Sequence, residues 1–154
     1  MVHSHAAGID VGSESHCVCA GEGKERIREF SVFTNSLHEL AKWLKTLGIQ
    51  TVAMESTGFY WKSLFLLLQD YGFEVILVHA AHVKNVKGKK TDVQDCQWIW
   101  QLHSAGLLSA SFQPDAFTDV IRTYTRHRKS LIDGAARFIS KMQKALVVQN
   151  IQLS

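Results

Sequence analysis

Long apolar runs are missing from this chain, and none approaches the roughly 20 residues a bilayer-spanning helix requires. The N-terminal stretch MVHSHAAGID lacks the basic and hydrophobic regions of a signal peptide, so a cytoplasmic location is the default expectation. Cysteine is scarce: Cys17, Cys19 and Cys96 form an odd set without metal-ligand spacing. Cys17 and Cys19 alternate as strand residues do, which argues against a disulfide framework or a zinc site and for reduced thiols. The single proline, Pro114, closes a break that begins at Gly106. What is present is 46% hydrophobic and 20% charged content over 154 residues, enough for one substantial core plus an appendage.

Charge is unevenly placed. Residues 1–117 hold 10 Lys or Arg against 12 Asp or Glu, whereas residues 118–154 hold 7 against 2, so the C-terminal part is the basic part. A second basic excess, Lys84, Lys87, Lys89 and Lys90 in VKNVKGKK, suits a loop that grips a phosphate backbone.

Hydrophobic patterning predicts short strands over 7–11, 16–20 and 26–33, separated by polar, glycine-containing turns, as in an antiparallel meander. Leu37, Leu40, Ala41, Leu44 and Leu47 then share one face of a helix that Thr34 or Asn35 can cap and Gly48 ends. A strand over 51–55, a helix over 59–71, with Thr57 as its cap, and a buried strand over 74–79 follow. This alternation implies right-handed crossovers and a parallel half to the sheet. Three meander strands followed by two linked through helices is the order of the ribonuclease H-like fold: a mixed five-stranded sheet with flanking helices. Thr91 is placed to cap a further helix reaching about Ala105, and a long basic helix is predicted from Ala116 towards Gln149. The expected division is a domain over 6–113 and a helical arm over 114–154.

Four acidic residues stand out in that order: Asp10 in GIDVG, Glu55 in MESTG, and Asp92 and Asp95 in KTDVQD. Asp10 lies inside an apolar strand, where an unpaired carboxylate costs several kcal/mol. Glu55 closes a strand at a glycine turn. Asp92 and Asp95, three apart in the first turns of a helix, project from one face, although a helix N-terminus also favours ordinary aspartates by about 0.3 to 1 kcal/mol. Concentrated carboxylates repel unless a cation neutralises them, and hard oxygen donors suit Mg²⁺ or Mn²⁺. The set therefore reads as a divalent-metal site.

GIDVG, MESTGFY, the basic stretch and KTDVQD, in this order, resemble the N-terminal DEDD domain of transposases of the insertion-sequence 110 family, which is similar in fold to the Holliday-junction resolvase RuvC. The resemblance implies that Asp10, Glu55, Asp92 and Asp95 form the acidic tetrad of a recombinase acting on DNA, with two divalent ions assisting an in-line displacement. It also implies a structured bridge RNA as guide and a second domain carrying a catalytic serine. The sequence ends at Ser154 before such a domain, so it is expected to be a fragment. Ser56 after Glu55, Cys96 after Asp95 and His79-Ala80 depart from common family residues without removing a carboxylate.

Along the predicted arm, Val120, Tyr124, Leu131, Phe138, Met142 and Ala145 recur at spacings of a coiled-coil seam, which suits a homo-oligomer. Arg122, Arg126, Arg128, Lys129, Arg137, Lys141 and Lys144 give the rest of that helix to nucleic acid or to solvent, and Gly134 weakens it by about 1 kcal/mol. His79 and His82 have metal-compatible spacing but no third ligand nearby. Trp98 and Trp100 cannot both face one core on a regular helix, which leaves one of them for a partner surface or partial burial. Two other classes fit parts of the pattern. A sugar-kinase-like phosphotransferase shares the acidic first strand but requires a second lobe, and a non-catalytic nucleic-acid-binding or assembly module would not need the carboxylates.

Overall fold

A computed structural model of the chain describes residues 2–55, 58–79, 92–111, 113 and 115–151. Lys84, Lys87, Lys89, Lys90 and His82, with the expected caps Thr57 and Thr91, lie outside the described residues. The chain divides into two compact units, Met1–Ser111 and Phe112–Ser154.

The first unit is built on strands β1 (Ala6–Val11), β2 (Ser15–Cys19), β3 (Ile27–Ser31), β4 (Thr51–Glu55) and β5 (Glu74–Val78) in the order β3-β2-β1-β4-β5. β1, β2 and β3 pair antiparallel, whereas β1–β4 and β4–β5 are parallel. This is the mixed ribonuclease H-like sheet. The β1–β2 hairpin turns through Gly12 to Ser15, where the Gly12 amide donates to the Ser15 carbonyl at 3.0 Å.

Alternation along the strands sends residues to two faces. Ala7, Ile9, Val11, Val18, Val52, Met54 and Leu77 meet helices α1 (Thr34–Thr46) and α2 (Trp61–Asp70), which contribute Leu37, Leu40, Ala41, Leu44, Leu64, Phe65 and Leu68. Each fully buried leucine here contributes about 1.5 to 3 kcal/mol. α1 ends where Gly48 adopts φ +71°, a left-handed conformation that costs glycine no side-chain clash. The Gly48 amide donates to the Lys45 carbonyl and the Ile49 amide to that of Leu44, which satisfies the carbonyls at the helix end.

Three local expectations are corrected. No side chain caps α1: Phe33 occupies the cap position, and Ser36 Oγ instead accepts from the Ser31 amide at 3.1 Å. α2 starts at Trp61 rather than Phe59, because Gly58 to Tyr60 form a turn to which the Trp61 indole N–H donates at the Gly58 carbonyl. β3 starts at Ile27, after a 3-10 turn over Lys24–Arg26.

Helix α3 (Asp92–Ser104) covers the opposite face. Cys96 and Trp100 pack with Ala6, Cys17 and Cys19, while Ile99 packs with Ala53 and Val78. Trp98 is half-buried beside Ile76 and Leu108, so both tryptophans are covered, on opposite flanks of the contact line.

At its end α3 is pinned by His103, whose Nε2 lies 3.0 Å from Thr51 Oγ1 and whose ring stacks on His3. Burial, with the nearby His3 adding to it, lowers the His103 pKa to about 4. Buried His16, on β2, is lowered by desolvation as well. Both rings fold neutral, whereas the unfolded chain binds protons on them below about pH 6.5. Stability is therefore full above that value and falls as pH drops towards 4. We expect unfolding in urea to require roughly 2 to 3 kcal/mol less at pH 4.5 than at pH 7 from His103 alone. An unchanged midpoint across that window would contradict the neutral, buried assignment.

The second unit is described by α4 (Ala116–Val148). Asp115 caps it, its Oδ1 accepting from the Thr118 amide at 2.7 Å, and this bond holds the Asp115 carboxyl below its usual range. Along α4, Val120, Tyr124, Leu131, Phe138 and Met142 are all exposed.

Candidate active site

Parallel pairing of β1 and β4 brings two of the acidic residues to one place. The register runs from Ala6↔Thr51 to Ile9↔Met54, so the next step sets Asp10 beside Glu55 at the C-terminal ends of neighbouring strands. Ala6, Gly8 and Asp10 share the α3 face with Thr51, Ala53 and Glu55, by strand alternation. Glu55 is buried, and Asp10 is half-buried.

α3 reaches the same face by its N-terminal half. Cys96 Sγ lies 3.1 Å from Cys17 Sγ, and Cys17 is the residue that pairs with Asp10 across β1 and β2. The Cys96 thiol is pushed up, first by its hydrogen bond to Cys17, then by burial and by neighbouring charge that includes Asp10. The Asp10 carboxylate is thus within electrostatic reach of the first turns of α3. Half-buried Asp95 immediately precedes Cys96, and Asp92 is the first residue of the helix. The structure therefore brings Asp10 and Glu55 to neighbouring strand ends under the N-terminal half of α3, but does not join Asp95 to them as a three-ligand group.

The donor chemistry fits a hard divalent cation, since a buried carboxylate set beside a second one is costly without a compensating positive charge. Among the described residues, no group of three or more His, Cys, Asp or Glu side chains stands where it could hold a metal ion. His79, at the end of β5, is not joined to such a group.

A family model described as transposase, that of the DEDD transposases of insertion-sequence 110 type, matches residues 7–150. The chain belongs to this family of transposases. The match takes in the transposase's sheet apart from Ala6, all four acidic positions and the whole of α4. No curated protein matches the chain. Among solved structures it is similar to T. thermophilus RuvC in complex with a Holliday junction substrate. That alignment has 11% identity and a TM-score of 0.49, covering 69% of this chain and 98% of that one. It is also similar to the Fowlpox virus resolvase in complex with Holliday junction DNA, with 15% identity and a TM-score of 0.36, covering 78% of this chain and 85% of that one.

In this transposase chain, sequence reasoning missed the contacts that seat α3. The Cys17–Cys96 approach joins residues 79 apart and has no local signature. Gly8 did carry a signal, because glycine inside a strand often marks a close backbone approach. No helix among the described residues is long and apolar enough to cross a membrane.

Proposed function

We propose that this chain is the DNA-cleaving part of the transposase, with Asp10, Glu55, Asp92 and Asp95 holding Mg²⁺ or Mn²⁺, two ions in all. The observation that carries this reading is the placement of Asp10 and Glu55 side by side at adjacent parallel strand ends, on the face that α3 covers. Bound divalent cations supply charge neutralisation at the phosphoryl oxygens and a nucleophile of lowered pKa. The chain's own part is to present oxygen donors from rigid elements. Glu55 and Asp10 come from paired strands, and Asp95 from a helix packed against them. Residues 6–113 form the catalytic domain in this reading, and 114–154 a basic arm.

DNA is the substrate, a structured guide RNA sets sequence choice by pairing, and the complex works in the cytoplasm. Lys84, Lys87, Lys89 and Lys90 hold backbone phosphates near the carboxylates. On α4, Arg122, Arg126, Arg128, Lys129, Arg137, Lys141 and Lys144 contact nucleic acid, while Tyr124, Leu131, Phe138 and Met142 meet a second copy of the chain. Their exposure supports this, since each such side chain gains about 1.5 to 3 kcal/mol when covered.

A non-catalytic nucleic-acid-binding module is the second reading, favoured by the lack of a three-ligand group among the described residues. Chelation separates the two. With guide RNA and branched DNA present, EDTA is expected to abolish strand cleavage, and added Mg²⁺ or Mn²⁺ to restore it, with DNA binding retained throughout. Cleavage that persists in the chelator, or is absent under every condition, would reject the metal-dependent reading.

A further inference from the structure

We propose that Gly8 is a positioning residue of the carboxylate site: its missing side chain is what lets α3, the helix that carries Asp92 and Asp95, seat directly on β1 beside the strand ends that carry Asp10 and Glu55. This inference rests on the metal-site reading above.

A Cβ built on Gly8 would lie 2.3 Å from the Trp100 amide nitrogen, 2.6 Å from the Cys96 carbonyl oxygen and 2.8 Å from the Trp100 Cα. Real contacts to a Cβ do not come that close, and all three atoms belong to helix backbone, so no side-chain rotation relieves the clash. The helix itself must move. Gly8 and Asp10 are two residues apart on one strand and share one face, and Cys96 directly follows Asp95. The clash therefore runs from Cys96, the residue after Asp95, to Trp100, about one and a half helical turns beyond Asp95. Small side chains continue the seat around it: Ala6 on β1 and Cys17 and Cys19 on β2 pack against Cys96 and Trp100. A lift of even 1 Å at this point separates the helix-borne donors from the strand-borne ones, a displacement that metal ligation and catalysis register strongly.

The test uses the whole chain and two independent readouts. The first is Mn²⁺ affinity by electron paramagnetic resonance for the parent, Gly8→Ala, Asp10→Asn and Ile9→Val. Ile9→Val loosens the opposite face of the same strand without touching α3. The second is the rate at which diamide oxidises Cys17 and Cys96 to a disulfide, the two thiols giving two protons and two electrons to the reagent. Their 3.1 Å separation in the parent makes this a ruler for the seating of α3.

Gly8→Ala is expected to weaken Mn²⁺ binding at least 10-fold and to slow disulfide formation at least 10-fold, with Ile9→Val at parental values in both. Should Gly8→Ala not fold, Cys96→Leu widens the same seat from the helix side and is expected to cost the same Mn²⁺ affinity. Parental Mn²⁺ affinity in Gly8→Ala, or in Cys96→Leu where that variant stands in for it, overturns the inference while leaving the site intact. Equal binding by the parent and Asp10→Asn marks failure of the metal-site reading and removes the inference with it.

Discussion

Asp10→Asn is expected to lower metal-dependent DNA cleavage by on the order of 10³-fold, equivalent to about 4 kcal/mol of transition-state stabilisation, with little loss of fold. The substitution preserves shape but replaces an anionic oxygen donor with a neutral amide. Asp10 occupies the central strand of the sheet, beside Glu55 on β4 and Cys17 on β2. Removing its charge also relieves repulsion with Glu55, so thermal stability is expected to hold or rise slightly. Cleavage assays on branched DNA, paired with thermal unfolding, separate the roles. A structural aspartate would show the reverse pattern, a lower unfolding temperature with cleavage intact.

Replacing Lys84, Lys87, Lys89 and Lys90 together by Ala is expected to weaken DNA binding about 100-fold at moderate salt, and to make the slope of log K against log salt shallower by about 3 to 4. Each lysine that neutralises a phosphate releases a condensed counterion, and the four fall within seven residues ahead of Asp92. Titrations at several salt concentrations read the slope directly. A slope equal to the parent's would return these lysines to plain solvent-exposed surface.

The two predictions draw unequally on sequence and structure. The strands were legible because glycine turns punctuate them, because apolar runs rich in β-branched residues such as Val75 to Val78 fill them, and because alternation is a local property. The order of the sheet followed from the connections, since a meander and two helical crossovers admit few arrangements. Asp10 was therefore placeable inside the first strand, and Glu55 at the end of the fourth, from their positions alone. Helix starts were less legible: Thr34 and Asn35 have capping chemistry, yet the turn before α1 engages Ser36. Least legible was the seating of α3, which depends on Gly8, Cys17 and Cys96 meeting across long sequence separations. Trp98 and Trp100 show the same limit. Helical period alone sets them on different faces, and only the breadth of the sheet and the Leu108 segment explains how both are covered.

The central claim is that the four carboxylates bind a divalent cation, and Mn²⁺ binding by this chain tests it most directly, with and without branched DNA, for the parent and for Asp92→Asn. The account predicts saturable binding by the parent that weakens at least 10-fold in Asp92→Asn. No Mn²⁺ binding in either condition, or equal binding by the two proteins, would contradict it.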